Sequence, residues 1–297
     1  MSVPAAYVGM VLIWSTTPLA IQWSSEDGGF LFAVTARMSL ALVLCYLLAR
    51  IFGVTIHWHR RALIGYVASA LGLFPAMVAV YWGAQYIPSG LVAVLYGLLP
   101  MVTTIVSALW LQERLWQPPK LLGICLGVLG LAVIFDPRVD LTLATAMGVG
   151  GVLMSTLLHA MSMTWLKRID GDMPALALTT GGLMVAVPMY LMTCLLLGTP
   201  WPAQLTWKAT GAIAYLSVMG SVFGFLLFYY VLKRTSPNVI ALVTLVTPVL
   251  ALLWGFIFNN EALELRTVAG AALILSGLSL HHWGGAWWRQ RTASETV

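Results

Sequence analysis

The chain has 297 residues, of which 60% are hydrophobic and only 8% charged. Soluble domains carry about 25% charged residues, so this composition cannot cover a water-facing surface of this size, whereas it suits a surface that faces lipid. The net charge of +5 is explained by where the charges lie, set out below, and not by nucleic acid. The three cysteines, Cys45, Cys125 and Cys194, all sit in apolar runs. That placement speaks against a disulfide framework or a metal site.

A membrane-spanning helix needs about 20 apolar residues, and ten segments qualify. The first, 3–22, carries Trp14, Ser15 and Pro18. It starts without the basic region and small-residue cleavage motif of a signal peptide. Segment 30–49 holds Arg37, seven residues beyond Phe30 and so about 10 Å into the span. Segment 62–82 contains Pro75 and ends on Tyr81 and Trp82. In 89–110, Tyr96 and Pro100 share a helix face, and Glu113 follows the span. Segment 119–136 is marked by Gly123 and Gly130. Mid-way through 145–166, Ser155 and His159 stand four residues apart on one face. Segment 173–197 holds Pro188, and 209–231 ends on Tyr229 and Tyr230. Segment 238–258 contains Pro248 and leads to Glu261, and 266–284 ends at His281 and His282.

Nearly all charge lies in the short connections. With a cytoplasmic N-terminus, the inside connections and tail hold eleven of the fifteen Lys and Arg, the outside ones hold three, and Arg37 lies within a span. This positive-inside bias predicts that both termini are cytoplasmic.

The two halves repeat. At an offset of 148, Tyr81 meets Tyr229, Ala93 meets Ala241, Pro100 meets Pro248 and Glu113 meets Glu261. With one residue of slip, Gly123 meets Gly270 and Gly130 meets Gly277. At a shorter offset of 140, Trp14-Ser15-Thr16 lies on Met154-Ser155-Thr156. Each half has five spans, an odd number, so the second half is inverted relative to the first. The expected fold is therefore an all-α integral membrane protein. Its ten transmembrane helices form two inverted-topology five-helix repeats around a central cavity. The repeats cover 1–137 and 145–285, with 286–297 as a short cytoplasmic tail. Such an architecture is typical of secondary transporters, with the substrate near the midplane between the halves.

The motif Ile13-Trp14-Ser15-Thr16-Thr17-Pro18 resembles the opening of an EamA domain. Arg37 resembles that family's arginine in the second helix. Pro100 with Leu111-Gln112-Glu113-Arg114-Leu115 resembles its fourth-helix ending, which Pro248 through Glu261 repeats. The resemblance covers the whole chain as two EamA units. It implies the drug/metabolite transporter superfamily and, within it, the YddG-like exporters of aromatic and other neutral amino acids. The second unit departs from the pattern at Asn259-Asn260-Glu261, where a glycine usually precedes the glutamate.

These readings give a candidate substrate-binding set of Trp14, Ser15, Tyr81, Tyr96, Ser155, His159 and Tyr229. Aromatic walls with a few polar groups suit an amphipathic organic solute, although aromatics also anchor helices at membrane interfaces. Pro100 and Pro248 are candidate kinks or gates. Arg37, Glu113 and Glu261 are read as structural charges, with an Arg37–Glu261 pair expected from their shared side. No Asp or Glu lies deep inside a span, which weakens carboxylate-based proton coupling. No phosphate-binding loop motif is present.

The expected function is secondary export of amino acids across the inner membrane by alternating access. Drugs or other small metabolites are the alternative cargo. No cofactor, metal or nucleic acid is expected, the lipid bilayer surrounds the chain, and the sequence leaves the oligomeric state open, a monomer included. A membrane enzyme would rest on His281-His282, which lack an acidic partner; a receptor or scaffold would need an appended soluble domain.

Overall fold

In a bilayer every backbone N–H and C=O must find its partner within the protein, and a helix meets that demand within one segment. The computed structural model describes residues 2–112, 118–134, 142–169, 173–232, 234–235 and 237–294. Among these, ten helical spans form one bundle. The first half comprises α1 (Val3–Ser24), α2 (Gly29–Ile51), α3 (Arg60–Leu73) continued by α4 (Pro75–Gly83), α5 (Ser89–Tyr96) continued by α6 (Leu99–Leu111), and α7 (Pro118–Ile134). The second comprises α8 (Leu143–Ile169), α9 (Ala175–Leu196), α10 (Trp207–Tyr215) running through a π-helical segment (Leu216–Phe223) into α11 (Gly224–Leu232), α12 (Pro237–Asn259) and α13 (Leu265–Ser294). Six of these stretches are long and apolar enough to cross a membrane, and Pro118–Ile134 and Val243–Asn259 are shorter apolar helices.

Two prolines expected inside helices instead break them. Pro75 and Pro100 open α4 and α6. A proline lacks the N–H and disfavours helical backbone in the residue before it. Phe74 is accordingly distorted, at φ −111° and ψ −78°. Pro18, Pro188 and Pro248 lie within continuous helices. The matched pair Pro100 and Pro248 thus adopts two local structures. The last helix also outruns its apolar pattern, since α13 continues to Ser294. No glycine or proline follows Gly285 to stop it, and helix hydrogen bonding continues without apolar side chains.

The inverted repeat is visible in the backbone. Gln112 and Asn260 are the two non-glycine residues with positive φ among the described ones, at 54° and 51°. They stand 148 residues apart, each just before its glutamate. Asparagine tolerates this left-handed conformation better than most residues, which explains how Asn260 can stand where glycine is usual. Helices α7 and α13 pack antiparallel on glycines in reciprocal fashion. A Cβ built on Gly123 would lie 2.5 Å from the Gly277 carbonyl oxygen, and one on Gly277 the same distance from that of Gly123. Gly130 and Gly270 meet likewise, at 2.6 Å in each direction. Exchanging Gly123 with Gly270 and Gly130 with Gly277, as the sequence repeat does, carries one contact onto the other. The pseudo-two-fold axis therefore passes between α7 and α13. The contacts of α1 and α8 obey it: α4 and α3 lie on α8 as α11 and α10 lie on α1, and α6 lies on α8 as α12 lies on α1. The buried core fills the seam between the halves, around Tyr81, Leu95, Leu183, Tyr190, Leu216 and Ile274.

Candidate functional site

The break at Phe74–Pro75 and the break at Gly97–Leu98 face each other across α8. Tyr190 of α9 covers the first, its hydroxyl donating to the Leu73 carbonyl at 2.7 Å. Ser155 of α8 reaches the same turn and donates to the Ala76 carbonyl at 2.6 Å. Tyr96, the last residue of α5, meets Ser155 Oγ at 2.5 Å. A serine hydroxyl carries one proton. Because Ser155 gives its proton to Ala76, Tyr96 is the donor in this contact. His159, one turn along α8, has Nδ1 at 3.3 Å from the Ser155 carbonyl, and its ring stands edge-on to Tyr96 at 5.8 Å. Tyr96, Ser155 and His159 thus form one cluster, held between the fourth and sixth spans.

The symmetry-related seam is built in the same way with different residues. Ser15 of α1 is fully buried and accepts a hydrogen bond from Trp254 Nε1 of α12 at 3.0 Å. Each of the two repeat-matched serines therefore accepts from an aromatic donor across the junction of the halves. Trp14 packs with Tyr7, Leu227, Tyr230 and Leu250 around a second apolar cluster, and Gly224 faces its indole nitrogen. Thr16 and Tyr215 share a hydrogen bond of 2.6 Å.

Arg37 is buried, at 4% exposure. Its Nε donates to Ser221 Oγ at 3.2 Å and one terminal nitrogen donates to the Tyr81 hydroxyl at 3.3 Å. Tyr81 is itself fully buried. The expected Arg37–Glu261 pair is not formed. Glu261 instead accepts from the backbone N–H groups of Ser89 and Gly90, at 3.0 and 3.2 Å. It thereby caps α5, whose first amides lack helical partners and carry the positive end of the helix dipole. Sharing one end of the bundle was too weak a constraint, since a helix N-terminus competes for the carboxylate. Glu113 lies outside the described residues, and Tyr229 lies in α11 with its side chain outside them.

At the same end as Glu261, a cavity of about 260 Å³ is lined by Gln22, Ser25, Glu26, Tyr81, Ala84, Gln85 and Asn259. Around it runs a polar network between the halves. Gln22 donates to the carbonyls of Ala84 and Ile87 at 3.1 and 2.8 Å. Asn259 donates to Gln22 at 3.1 Å and to Glu261 at 3.0 Å, and accepts from Trp23 Nε1 at 3.2 Å. Beside it, Asp27 accepts from the Thr206 hydroxyl at 2.6 Å and from its backbone N–H at 2.7 Å. These two bonds hold the Asp27 carboxyl below its ordinary range. Its contribution is present above the usual carboxylate pKa and is lost as pH falls through the lowered value.

Sequence reasoning singled out Tyr81, Tyr96, Ser155 and His159, which the structure brings to the central seam. It missed Gln22, Asn259, Ser221 and Trp254. Gln22 and Asn259 stand at the ends of their expected spans, where polar residues are ordinary, and Trp254 stands four residues from one, where aromatics are. Ser221 sits on a π-turn that periodicity does not disclose. Among the described residues no three His, Cys, Asp or Glu side chains gather as metal ligands.

Comparison with known proteins agrees with this architecture. Residues 4–136 and 146–281 each match the EamA-like transporter family. An uncharacterized transporter of Archaeoglobus fulgidus is 30% identical over 90% of this chain and 94% of its own length. A probable terminal-alkyne amino-acid exporter of Streptantibioticus cattleyicolor is 23% identical over 93% and 91%. The protein PecM of Dickeya dadantii is 24% identical over 72% and 71%. A solved crystal structure shares the fold with a TM-score of 0.64 at 18% identity, covering 94% of this chain and 96% of its own. With both halves matched, and with those halves related by the pseudo-two-fold through α7 and α13, the chain belongs to the EamA-like transporter family.

Proposed function

We propose that this transporter exports amino acids, aromatic and other neutral ones, across the inner (plasma) membrane by alternating access, with both termini in the cytoplasm. The observation that carries the reading is the Tyr96–Ser155–His159 cluster, a polar and aromatic group set at the seam of two inverted halves. Two such halves can open in turn to either side around one site. An amino acid offers a charged backbone portion and, in the aromatic cases, a flat apolar side chain. Hydroxyl, imidazole and ring faces answer both parts. Trp14, Ser15, Tyr81, Tyr96, Ser155, His159 and Tyr229 are the proposed contact set, and Pro100 and Pro248 the proposed flexible points. The relative from Streptantibioticus cattleyicolor, a probable exporter of a terminal-alkyne amino acid, supports the cargo. The eleven-to-three bias of Lys and Arg supports the orientation.

The test is counterflow of labelled phenylalanine, threonine and methyl viologen into liposomes holding the purified protein. Uptake of both amino acids, competed by a range of unlabelled ones, is the expected result. His159→Ala and Tyr96→Ala are expected to reduce it by about tenfold or more, the loss of one or two good polar contacts, while the proteins still insert. Uptake of methyl viologen alone, by folded protein, would replace amino acids with drug-like cations as the cargo.

A further inference from the structure

The bundle buries a guanidinium that no acid of a described residue meets. Arg37 lies in the seam among α2, α4 and the π-helical segment, and both of its hydrogen-bond partners are neutral hydroxyls at 3.2 Å or more. A guanidinium has five N–H donors arranged as a planar fork. Only two of the five are used among the described residues. No carboxylate of a described residue forms a salt bridge with it, and the one acid expected to do so, Glu261, is committed to α5. An intramembrane charge without a counter-charge is costly, and it is kept where a function uses it.

The surroundings point the same way. The π-helical segment widens the helix opposite Arg37, so that Ser221 Oγ bonds back to the Leu216 carbonyl and also receives Arg37 Nε. Such π-turns are frequent at functional sites. A Cβ built on Gly220 of that segment would stand 3.3 Å from Arg37 Nη2, the terminal nitrogen without a hydrogen bond to a described residue. The other partner, Tyr81, is a wall of the 260 Å³ cavity. Tyr81, itself fully buried, thus stands between that cavity, which it lines, and the guanidinium, which its hydroxyl meets.

We infer that Arg37 is the carboxylate-binding group of the transport site, and that the Tyr81 hydroxyl is a stand-in which the substrate carboxylate displaces. The exchange replaces one long bond to a neutral hydroxyl with a two-pronged ion pair. It assigns the cargo to amphipathic solutes bearing a free carboxylate, and it rests on the amino-acid reading above while adding the group that recognises them.

The experiment compares unlabelled phenylalanine with phenylalaninamide as competitors of labelled phenylalanine in counterflow. A parallel measurement follows the thermal shift of detergent-purified protein with phenylalanine, phenylalaninamide and phenylacetate. In wild type the acid is expected to compete about tenfold better than the amide, the value of one charge-assisted bond. Arg37→Gln is expected to abolish that preference, Arg37→Lys to retain part of it, and Tyr81→Phe to strengthen it by removing the competing hydroxyl. If Arg37→Gln does not fold, the wild-type and Tyr81→Phe ratios carry the test. Equal competition by acid and amide in wild type overturns the inference and leaves amino-acid transport standing. If no amino acid is carried, but phenylacetate stabilises wild type and not Arg37→Gln, the cargo reading fails and the inference survives. Phenylacetate without effect on wild type, together with no amino-acid binding, overturns both.

Discussion

Ser155 has one proton and two neighbours that want it. The Ala76 carbonyl takes it, so Tyr96 must donate. The consequence is an asymmetry between two small substitutions. Tyr96→Phe removes a donor, and Ser155 keeps its bond to Ala76. Ser155→Ala removes the acceptor and leaves the Tyr96 hydroxyl without a partner inside the seam. An unsatisfied buried donor costs about 1–3 kcal/mol, more than the net worth of one bond. Ser155→Ala is therefore expected to lower the melting temperature in detergent clearly, and Tyr96→Phe by less. The reverse order would mean that Tyr96 accepts. This cluster was legible in the sequence because polar residues at four-residue spacing in an apolar helix share a face that lipid will not take. The partner of Glu261 was not. A carboxylate at a span end meets several donors at that end, and a helix N-terminus leaves no mark in the sequence of the helix it opens. Arg37 was legible as buried, and its hydroxyl partners were not, because Ser221 depends on an irregular turn.

Glu261 joins the elements across the seam, since it sits after α12 in the second half and caps α5 in the first. It reaches α5 only because residue 255 has no side chain. A Cβ on Gly255 would overlap the Glu261 carboxylate and stand 3.0 Å from Ser89 Oγ, and the Gly255 carbonyl also holds the Glu261 amide at 3.1 Å. Ser89 Oγ is buried without a hydrogen-bond partner among the described residues, so the carboxylate carries the capping alone. Loss of a cap costs about 0.5–2 kcal/mol. Glu261→Ala and Gly255→Ala are each expected to destabilise the protein by about that much. Because both act on one contact, the double variant should lose scarcely more than either single one. Full additivity, measured as melting temperatures of all four proteins, would separate the two residues. At this scale the spans themselves were readable from apolar run length. The breaks at Pro75 and Pro100 were not, because Pro18, Pro188 and Pro248 leave the same trace in the sequence and keep their helices continuous.

At the scale of the whole molecule, the symmetry of the chain and the asymmetry of its cavity set up a directional prediction. The pseudo-two-fold exchanges the two ends of the bundle, yet the 260 Å³ cavity lies at one of them, where Gln22, Tyr81 and Asn259 meet. The repeat was legible because helix ends recur at an offset of 148 and the packing glycines at 147. Which end carries the cavity was not, since the two halves have nearly the same pattern. Gln85 lines this cavity and is exposed, so it can report on access from one side. A Gln85→Cys variant is made in a background without Cys45, Cys125 and Cys194, of which Cys125 is the exposed one. With cytoplasmic termini, a membrane-impermeant maleimide should label it in intact cells and not in inverted vesicles. Saturating phenylalanine should slow that labelling, because a substrate that draws the transporter through its cycle takes this end out of the open state for part of the time. Labelling from the vesicle side alone would invert the orientation. A rate that phenylalanine leaves unchanged, in protein that transports it, would mean that the cavity at this end lies off the path.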